Sequence, residues 1–261
     1  GYVVEWRVVN AADYGFPQRR RRVFIMGYKK GTKLYDKLVK AKSKETWLTK
    51  SGVLADAFPV ESNVLKLKEL RIEGTPAEIT KNFSADGPSI SPFENSGVVI
   101  DRLVTTAKAV PIYDGPRVTL GDVLVKEADV PEEFFIDDSK LPAWKYQKGA
   151  KKEERKTVGG HVYYYAEGPM TFPDALDKPS RTVITGEGGS GASRFKHVIK
   201  TKSGRYRRLT PLELERLDMF PDNHTQLEGV SDGKRAFMMG NALVVGAIQK
   251  VGESLAIKCS S

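Results

Sequence analysis

The sequence predicts a mixed α+β fold: the end of an α/β sheet, then a mainly β region, then a helix that closes the chain. Three patterns indicate this. Residues 1–28 run strand, turn, strand, residues 51–200 carry short apolar runs between Gly, Pro, Asn and Asp, and an apolar helical pattern follows residue 240. Two strands cannot bury a sheet core by themselves. We therefore expect the first pair to belong to a larger sheet whose other strands lie outside this sequence.

Composition and charge limit the classes of function. The 261 residues are 40% hydrophobic and 29% charged, which is typical of a globular protein. No apolar run approaches the roughly 18 residues of a membrane span, so no membrane partner is indicated. The net charge of +9 favours a polyanionic partner without distinguishing DNA, RNA and acidic membrane. One cysteine, Cys259, excludes internal disulfides and cysteine-cluster zinc sites, and we expect no metal site.

The first strand covers residues 2–9, a turn occupies residues 10–17, and the apolar run 23–26 is typical of a central strand. The sequence starts at Gly1 inside the first strand pattern, and we expect a fragment of a longer chain. Between turn and second strand lie Gln18 and four consecutive arginines, residues 19–22. Burying so much charge is unfavourable, so we expect an anion to meet them. A charged strand edge or a localisation-type patch is the alternative, which the two flanking strands disfavour.

The next segments are predicted from local composition. Residues 29–50 are polar and lysine-rich, which indicates a linker with one helix near residues 34–41 and a domain boundary near residues 30–50. Thr119 is placed to cap a short helix at residues 119–124. Residues 144–156 interleave aromatic and basic side chains, a pattern equally consistent with a nucleic-acid surface and with an exposed charged helix end.

The last third contains a glycine-rich loop and two helices. Glycines at residues 186–194 allow close approach of backbone to a ligand, although a flexible hairpin loop explains them too, and a nucleotide phosphate loop is disfavoured. Thr210, Pro211 and Glu213 predict a capped helix that ends before Pro221. A final helix is predicted from a turn at residues 240–241 to about residue 255.

Four stretches, in this order, resemble the DNA (cytosine-5)-methyltransferases. Residues 14–24 are similar to the family's eighth conserved block, residues 208–222 to its ninth and residues 240–242 to its tenth. The variable region between them ends in Thr182-Val183 and the glycine-rich loop, as in the family's target recognition domain. The resemblance implies three domains: the last strands of the catalytic domain at 1–32, a target recognition domain at 33–236, and a C-terminal helix returning to the catalytic domain at 237–261.

The family's earlier blocks have no counterpart here. They hold the cofactor loop, the Pro-Cys nucleophile and the Glu-Asn-Val acid, and Cys259 follows Lys258 rather than a proline. We therefore expect a C-terminal portion that is inactive without a missing N-terminal half, which is either truncated or a separate subunit. A non-catalytic DNA-binding specificity module is the alternative. An RNA-binding module rests only on charge and the tyrosines at 163–165.

The resemblance implies methyl transfer from S-adenosylmethionine to C5 of a cytosine that is flipped out of duplex DNA. It places Arg20 and Arg22 at the flipped base, with Gln18 fixing the turn before them. Asn241 and Ala242 correspond to family positions that line the S-adenosylmethionine pocket. A bacterial restriction-modification enzyme is expected, hence a cytoplasmic, nucleoid-associated location.

Double-stranded DNA is the implied partner. Arg19 and Arg21 point to the other side of an extended segment, towards phosphate or acidic residues. Thr182 is implied to contact the phosphate near the flipped nucleotide. Arg194 is the first candidate base reader, because arginine to guanine is the commonest specific contact. The further candidates for groove and backbone contacts are Arg181, Ser190, Ser193 and Lys196.

Overall fold

We analysed a computed structural model, which describes residues 1–62, 66–82 and 91–260. The chain divides into two compact units. The first unit comprises residues 1–15, 21–116 and 246–261, and the second comprises residues 16–20 and 117–245. The division by contacts has other bounds than the functional domains at 1–32, 33–236 and 237–261, which stay a prediction.

The first unit is built on an antiparallel sheet. Its strands lie in the order β2-β1-β4-β5-β3. The bounds are β1 (Tyr2–Asn10), β2 (Arg21–Lys29), β3 (Lys68–Arg71), β4 (Ser96–Ile100) and β5 (Leu103–Ala107).

The expectation for the first two strands is partly wrong. β1 finds its second neighbour inside this chain, because Trp6 lies opposite Gly97 of β4. Within the part of the chain that the structure describes, β2 is an edge strand and not a central one. Its Val23 and Ile25 are 57% and 68% exposed. A continuous apolar run therefore does not by itself place a strand in the middle of a sheet.

Two buried charges on β1 hold the helical segment that follows β2. Glu5 accepts hydrogen bonds from the Trp47 indole (2.7 Å) and the Leu54 amide (3.3 Å). Arg7 donates to the Phe58 carbonyl at 2.6 Å, and burial lowers its pKa. The segment is packed rather than a linker, and its helices are α1 (Lys33–Lys40), α2 (Lys44–Thr46), a π-helical turn at Trp47–Ser51, and α3 (Val53–Ala57). The helix predicted near residues 34–41 is confirmed as α1.

The first unit also contains α4 (Pro76–Asn82) and most of α8 (Val245–Ser260). Ser254 of α8 is buried and donates a hydrogen bond to the Val53 carbonyl at 2.9 Å. The predicted single helix after residue 240 is instead two helices. Residues 240–241 end α7 (Asp232–Asn241) and do not begin the last helix.

The second unit has a small apolar core and much irregular chain. Its remaining elements are α5 (Leu141–Lys148), β6 (Lys151–Lys156), β7 (Val162–Glu167), β8 (Val198–Lys200), β9 (Tyr206–Arg208) and α6 (Pro211–Leu217). The core includes Leu120, Val183, Ile199, Leu214, Leu217, Ala236 and Met239.

Two helix starts were predicted in this unit from capping residues. The start of α6 is confirmed, because Thr210 accepts from the Glu213 amide (3.3 Å) while the Glu213 carboxylate accepts from the Thr210 amide (2.8 Å). The short helix at 119–124 is only a 3₁₀ turn at Gly121–Val123. There Thr119 donates to the Asp122 carboxylate, which lowers the pKa of Asp122. The mixed α+β class is confirmed, with antiparallel sheets and a C-terminal helix.

Gly97→Ala tests how tightly the first sheet is packed. An added Cβ would lie 2.1 Å from the Trp6 ring and 2.7 Å from the Thr105 carbonyl oxygen. We expect the overpacking to lower the free energy of unfolding by about 1–3 kcal/mol. Gly252→Ala in α8 is the control, because its Cβ meets nothing within 4 Å and alanine favours the helix by up to about 1 kcal/mol. Thermal unfolding followed by circular dichroism measures both, and equal midpoints would contradict the packing argument.

Candidate functional site

The centre of the candidate site is the buried side chain of Arg20. It is 2% exposed, although burial of an arginine from this run was judged unfavourable from the sequence. Its guanidinium donates to the carbonyl oxygens of Val183 (2.9 Å), Gly240 (2.8 Å) and Ala242. Carbonyl oxygens replace the lost water, which makes the burial tolerable.

Gln18 is completely buried beside Arg20. Its amide nitrogen donates to the Leu217 carbonyl (3.0 Å) and the Asp218 carboxylate (2.7 Å), and its amide oxygen accepts from the Val183 amide (3.0 Å). Both polar atoms of this side chain are therefore hydrogen-bonded to residues of the second unit. These bonds hold the segment that begins the arginine run, and the predicted role of Gln18 at the turn stays a prediction.

The main chain around Gln18 forms a short parallel pairing with the segment at residue 180. The Arg19 amide donates to the Ser180 carbonyl (2.9 Å), and the Ser180 amide donates to the Pro17 carbonyl (2.8 Å). The Thr182 hydroxyl donates to the Arg19 carbonyl. Thr182 is thus brought beside the arginine run, which the sequence could suggest only through the family resemblance.

Exposure alternates along the four arginines. Arg19 and Arg21 are exposed, Arg20 is buried and Arg22 is partly exposed. Arg22 donates only to the neighbouring Arg21 carbonyl, at 2.8 Å, within the described residues. Arg19 lines a cavity of about 300 Å³ together with Lys178 and Arg181.

The cations predicted to contact DNA near the glycine-rich loop are bonded to the chain itself. Arg181 donates to both carboxylate oxygens of Asp174, at 2.7 and 3.1 Å. Burial acts to raise the pKa of Asp174, but the hydrogen bonds and charge of Arg181, together with other neighbours such as the Val198 amide, outweigh it and the pKa is lowered. Lys196 donates to the carbonyls of Gly189 (3.0 Å) and Gly191 (2.9 Å), and burial lowers its pKa. These side chains shape the loop.

Arg194 is in a similar position. It donates to the carbonyls of Gly149 (3.2 Å) and Gly168 (2.5 Å) and lies 3.2 Å from the Glu167 carboxylate. The two serines of the loop differ, because Ser190 is exposed while the Ser193 hydroxyl accepts from the Phe195 amide at 3.3 Å. The predicted base contacts of these residues stay predictions.

The predicted cofactor residues lie at the end of α7. Asn241 is exposed and donates to the Phe237 carbonyl at 3.2 Å. The Ala242 amide donates to Met239 (3.2 Å), and its carbonyl accepts from Arg20. Both backbone groups of Ala242 are therefore occupied, and Asn241 offers the more accessible polar group.

Sequence reasoning missed Asp218 and the ion pairs of the ninth block. Asp218 is fully buried between Gln18 and the Val245 amide, which donates to its carbonyl at 2.9 Å. Glu213 pairs with Arg207 at 2.7 Å, and Glu215 pairs with Arg235 at 3.0 Å. The alternation of side chains along β9 was the available signal, since Arg207 and Arg208 face opposite sides.

The comparisons with known proteins agree with the resemblance. The sequence profile described as C-5 cytosine-specific DNA methylase matches residues 1–256. This chain belongs to that family.

The chain is also similar to individual members of the family. It is 40% identical over 257 residues to the type II methyltransferase M.Sau3AI of Staphylococcus aureus. The match covers 98% of this chain and 59% of that relative. The type II methyltransferase M.MthTI of Methanothermobacter thermautotrophicus is 48% identical over 48 residues. This match covers 18% of this chain and 14% of that relative. The S. pombe Dnmt2 methyltransferase structure matches 99% of this chain and 58% of its own, with TM-score 0.47 and 11% identity. The chain spans less than two thirds of the length of these relatives.

The described residues show neither a metal-binding cluster nor a membrane-spanning helix. Residues 1–62, 66–82 and 91–260 contain no group of three or more His, Cys, Asp or Glu placed to hold a metal ion. No helix among them is both long and apolar enough to cross a membrane.

Arg20→Lys tests whether the buried guanidinium is structural. A lysine ammonium cannot reach the three carbonyl oxygens of Val183, Gly240 and Ala242 with the same geometry. We expect a loss of about 2–4 kcal/mol in the free energy of unfolding, because buried carbonyls are left unpaired. The matched control is Arg21→Lys at an exposed position, expected within about 0.5 kcal/mol of wild type. Urea unfolding measures both, and equal midpoints would refute the structural role of Arg20.

Proposed function

We propose that this chain is the C-terminal portion of a DNA cytosine-5 methyltransferase that recognises a specific duplex sequence. One observation carries the proposal beyond family membership. The three segments that resemble the family's eighth, ninth and tenth blocks meet around Arg20 and Gln18, together with the residue after Thr182. Residues 200 positions apart in sequence, Gln18 and Asp218, are thereby joined by a direct hydrogen bond.

The proposed activity requires a second part. The chain has one cysteine, Cys259, which is exposed and follows Lys258, so a Pro-Cys nucleophile is absent from these residues. The chain matches only 59% of its Staphylococcus relative. We propose that the remainder, in the same chain or another subunit, supplies the nucleophile and continues the sheet beyond the edge strand β2.

We propose that the arginines of the run have two different roles, one in positioning the chain and one in contacting the reacting base. The predicted contact of Arg20 with the flipped cytosine would require its guanidinium to leave three carbonyl oxygens. We therefore assign Arg20 and Gln18 to positioning and Arg22 to the base. A permanently charged donor near the cytosine stabilises negative charge that develops when a nucleophile adds to the ring.

S-adenosylmethionine is the proposed methyl donor, and it supplies the methyl group that is added to the base. The residues present fit one edge of its site, because the Asn241 amide is accessible at the end of α7. Ala242 holds that end in place through its bond from Arg20. The rest of the cofactor site is assigned to the missing part.

Duplex DNA is the proposed partner of the exposed arginines. Arg19 and Arg21 are proposed to contact phosphate, and Arg19 also lines a cavity with Lys178 and Arg181. Thr182 is proposed beside the phosphate of the flipped nucleotide. The similarity to bacterial type II methyltransferases supports a role in restriction-modification, in the bacterial cytoplasm near the nucleoid.

A non-catalytic DNA-binding module is the second candidate. The absence of a Pro-Cys nucleophile from these 261 residues favours it. The two candidates differ in one measurable property, which is methyl transfer once the missing part is supplied.

Reconstitution tests the proposal directly. We expect the chain, produced together with the sequence that precedes it in its gene or with a neighbouring partner, to transfer a labelled methyl group to C5 of cytosine in duplex DNA. The chain alone is expected to transfer none. If the reconstituted protein binds DNA but transfers no label under conditions in which a known cytosine methyltransferase does, the binding module is the correct function.

Arg22→Ala in the reconstituted enzyme separates chemistry from binding. We expect kcat to fall by about 10²-fold or more, because a donor aimed at developing charge is lost. Arg21→Ala is the comparison and should mainly weaken DNA binding, lowering the slope of log K against log salt by about 0.9. Lys202→Ala, an exposed change elsewhere, serves as the control. A normal kcat for Arg22→Ala would remove it from the base-binding pocket.

A further inference from the structure

The hairpin formed by β6 and β7 is exposed on both faces. In β6 every residue except Lys151 and Glu153 is exposed, and in β7 every residue except Tyr165 and Glu167 is exposed. Six antiparallel pairs join the two strands, from Lys151 opposite Glu167 to Lys156 opposite Val162. Among the described residues no third strand joins this sheet. A two-stranded hairpin of this kind contributes little to a core.

Aromatic and basic side chains pair across the hairpin. The Arg155 guanidinium lies 3.7 Å from the centre of the Tyr165 ring, and the Lys152 ammonium lies 5.2 Å from the centre of the Tyr164 ring. Such contacts stabilise an exposed hairpin in the absence of a core. The residues at 144–156 and the tyrosines at 163–165, which the sequence singled out separately, are therefore largely one structural element.

The base of the hairpin is fixed to the rest of the second unit. Arg194 bonds to the carbonyls of Gly149, just before β6, and Gly168, just after β7. Lys148 is 1% exposed and donates to the Lys196 carbonyl, and burial lowers its pKa to about 8. Buried Lys148 and hydrogen-bonded Arg194 thus fix the start of β6 and the end of β7 in an otherwise exposed hairpin. The hairpin is therefore a structured element that projects from the second unit, and not a flexible loop.

The far end of the hairpin is small and apolar. A turn closed by the bond from the Thr157 amide to the His161 carbonyl (2.9 Å) places Val158 at the tip, wholly exposed. Lys156 is the last residue of β6 before this turn, and within the described residues its side chain has no hydrogen bond or ion pair. On the same face of the ribbon as Lys156 lie Lys152 and Tyr164, with Glu154 opposite Tyr164 between the two lysines, by the pairing of the strands.

These dimensions suit the major groove of B-form DNA. Six residues per strand give a length of about 20 Å, and two strands are about 5 Å apart before side chains are added. The major groove is about 12 Å wide and about 8.5 Å deep, and it admits a two-stranded ribbon. The deep, narrow major groove of duplex RNA does not admit one.

We propose that the β6–β7 hairpin enters the major groove of duplex DNA, with its tip at Val158 against the bases and with Lys152 and Lys156 on the phosphates. The proposal rests on the proposed function. It transfers base reading from the glycine-rich loop, whose cations are bonded internally, to this hairpin. Arg194 becomes a positioning residue that fixes the hairpin, instead of the base reader expected from its residue type.

The first test changes the tip in the reconstituted methyltransferase. Val158→Asp places a carboxylate where bases and phosphates are expected, and the position is wholly exposed, so folding is retained. We expect duplex DNA affinity to fall about tenfold and the sequence contexts of methylated cytosines, mapped by bisulfite sequencing, to change. Leu227→Asp, also at an exposed apolar position in a loop of the second unit, is the matched control and is expected to match wild type.

The second test removes the two lysines. Lys152→Ala with Lys156→Ala is expected to lower the slope of log K against log salt by about 1–2. Lys126→Ala with Lys202→Ala removes two exposed lysines of the same unit away from the hairpin and is the control. Binding to duplex RNA of equal length should be unaffected by Val158→Asp.

Three results would overturn the proposal. They are hairpin variants that behave like their controls, equal losses on duplex RNA and duplex DNA, and an unchanged pattern of methylated contexts for Val158→Asp. Failure of the proposed function has a different signature, since wild-type protein would then transfer no methyl group at all. The binding arm on duplex DNA tests the hairpin even in that case.

Discussion

The burial of one guanidinium is the constraint on which the candidate site depends. Removing an arginine from water is tolerable only when oxygens replace the lost hydration on several sides at once. Arg20 achieves this with main-chain carbonyls, which have fixed positions, and not with flexible carboxylates alone. The carbonyl groups of residues 183, 240 and 242 must therefore lie within hydrogen-bonding distance of the guanidinium before the charge can be buried. Burial of Arg20 thus depends on correct folding of the second unit.

Local chemistry accounts for the parts of the fold that the sequence predicted. The capping box of α6 and the helix α1 depend on residues within one or two turns, so pattern alone identifies them. The pairing of β1 with β4 joins residues about 90 apart and has no local signature. The division of the last helical region into α7 and α8 was missed for a related reason, because Gly240 and Asn241 are as compatible with a helix end as with a helix start.

Residue type predicted the chemistry of the site better than its geometry. The arginine run and Thr182 do lie together, which the order of the conserved blocks implied. The direction of each donor was not predictable, since Arg181, Arg194 and Lys196 could equally face solvent or the chain's own carbonyl oxygens. Their partners include residues 149, 168, 174, 189 and 191, which are separated from them in sequence by 5 to 45 residues. Charge composition counts cations and does not say which are already neutralised by neighbours.

The edge strand β2 has a consequence for handling the protein. Among the described residues no strand pairs with its outer edge, which runs alongside the exposed, β-branched Val23 and Ile25, a combination that recruits strands from other molecules. The Lys29 and Arg21 ends carry charge, but the centre of the strand has none to discourage stacking. Prepared alone, the chain is expected to self-associate through this edge with increasing concentration. Its solubility would then report whether a natural neighbour covers the strand.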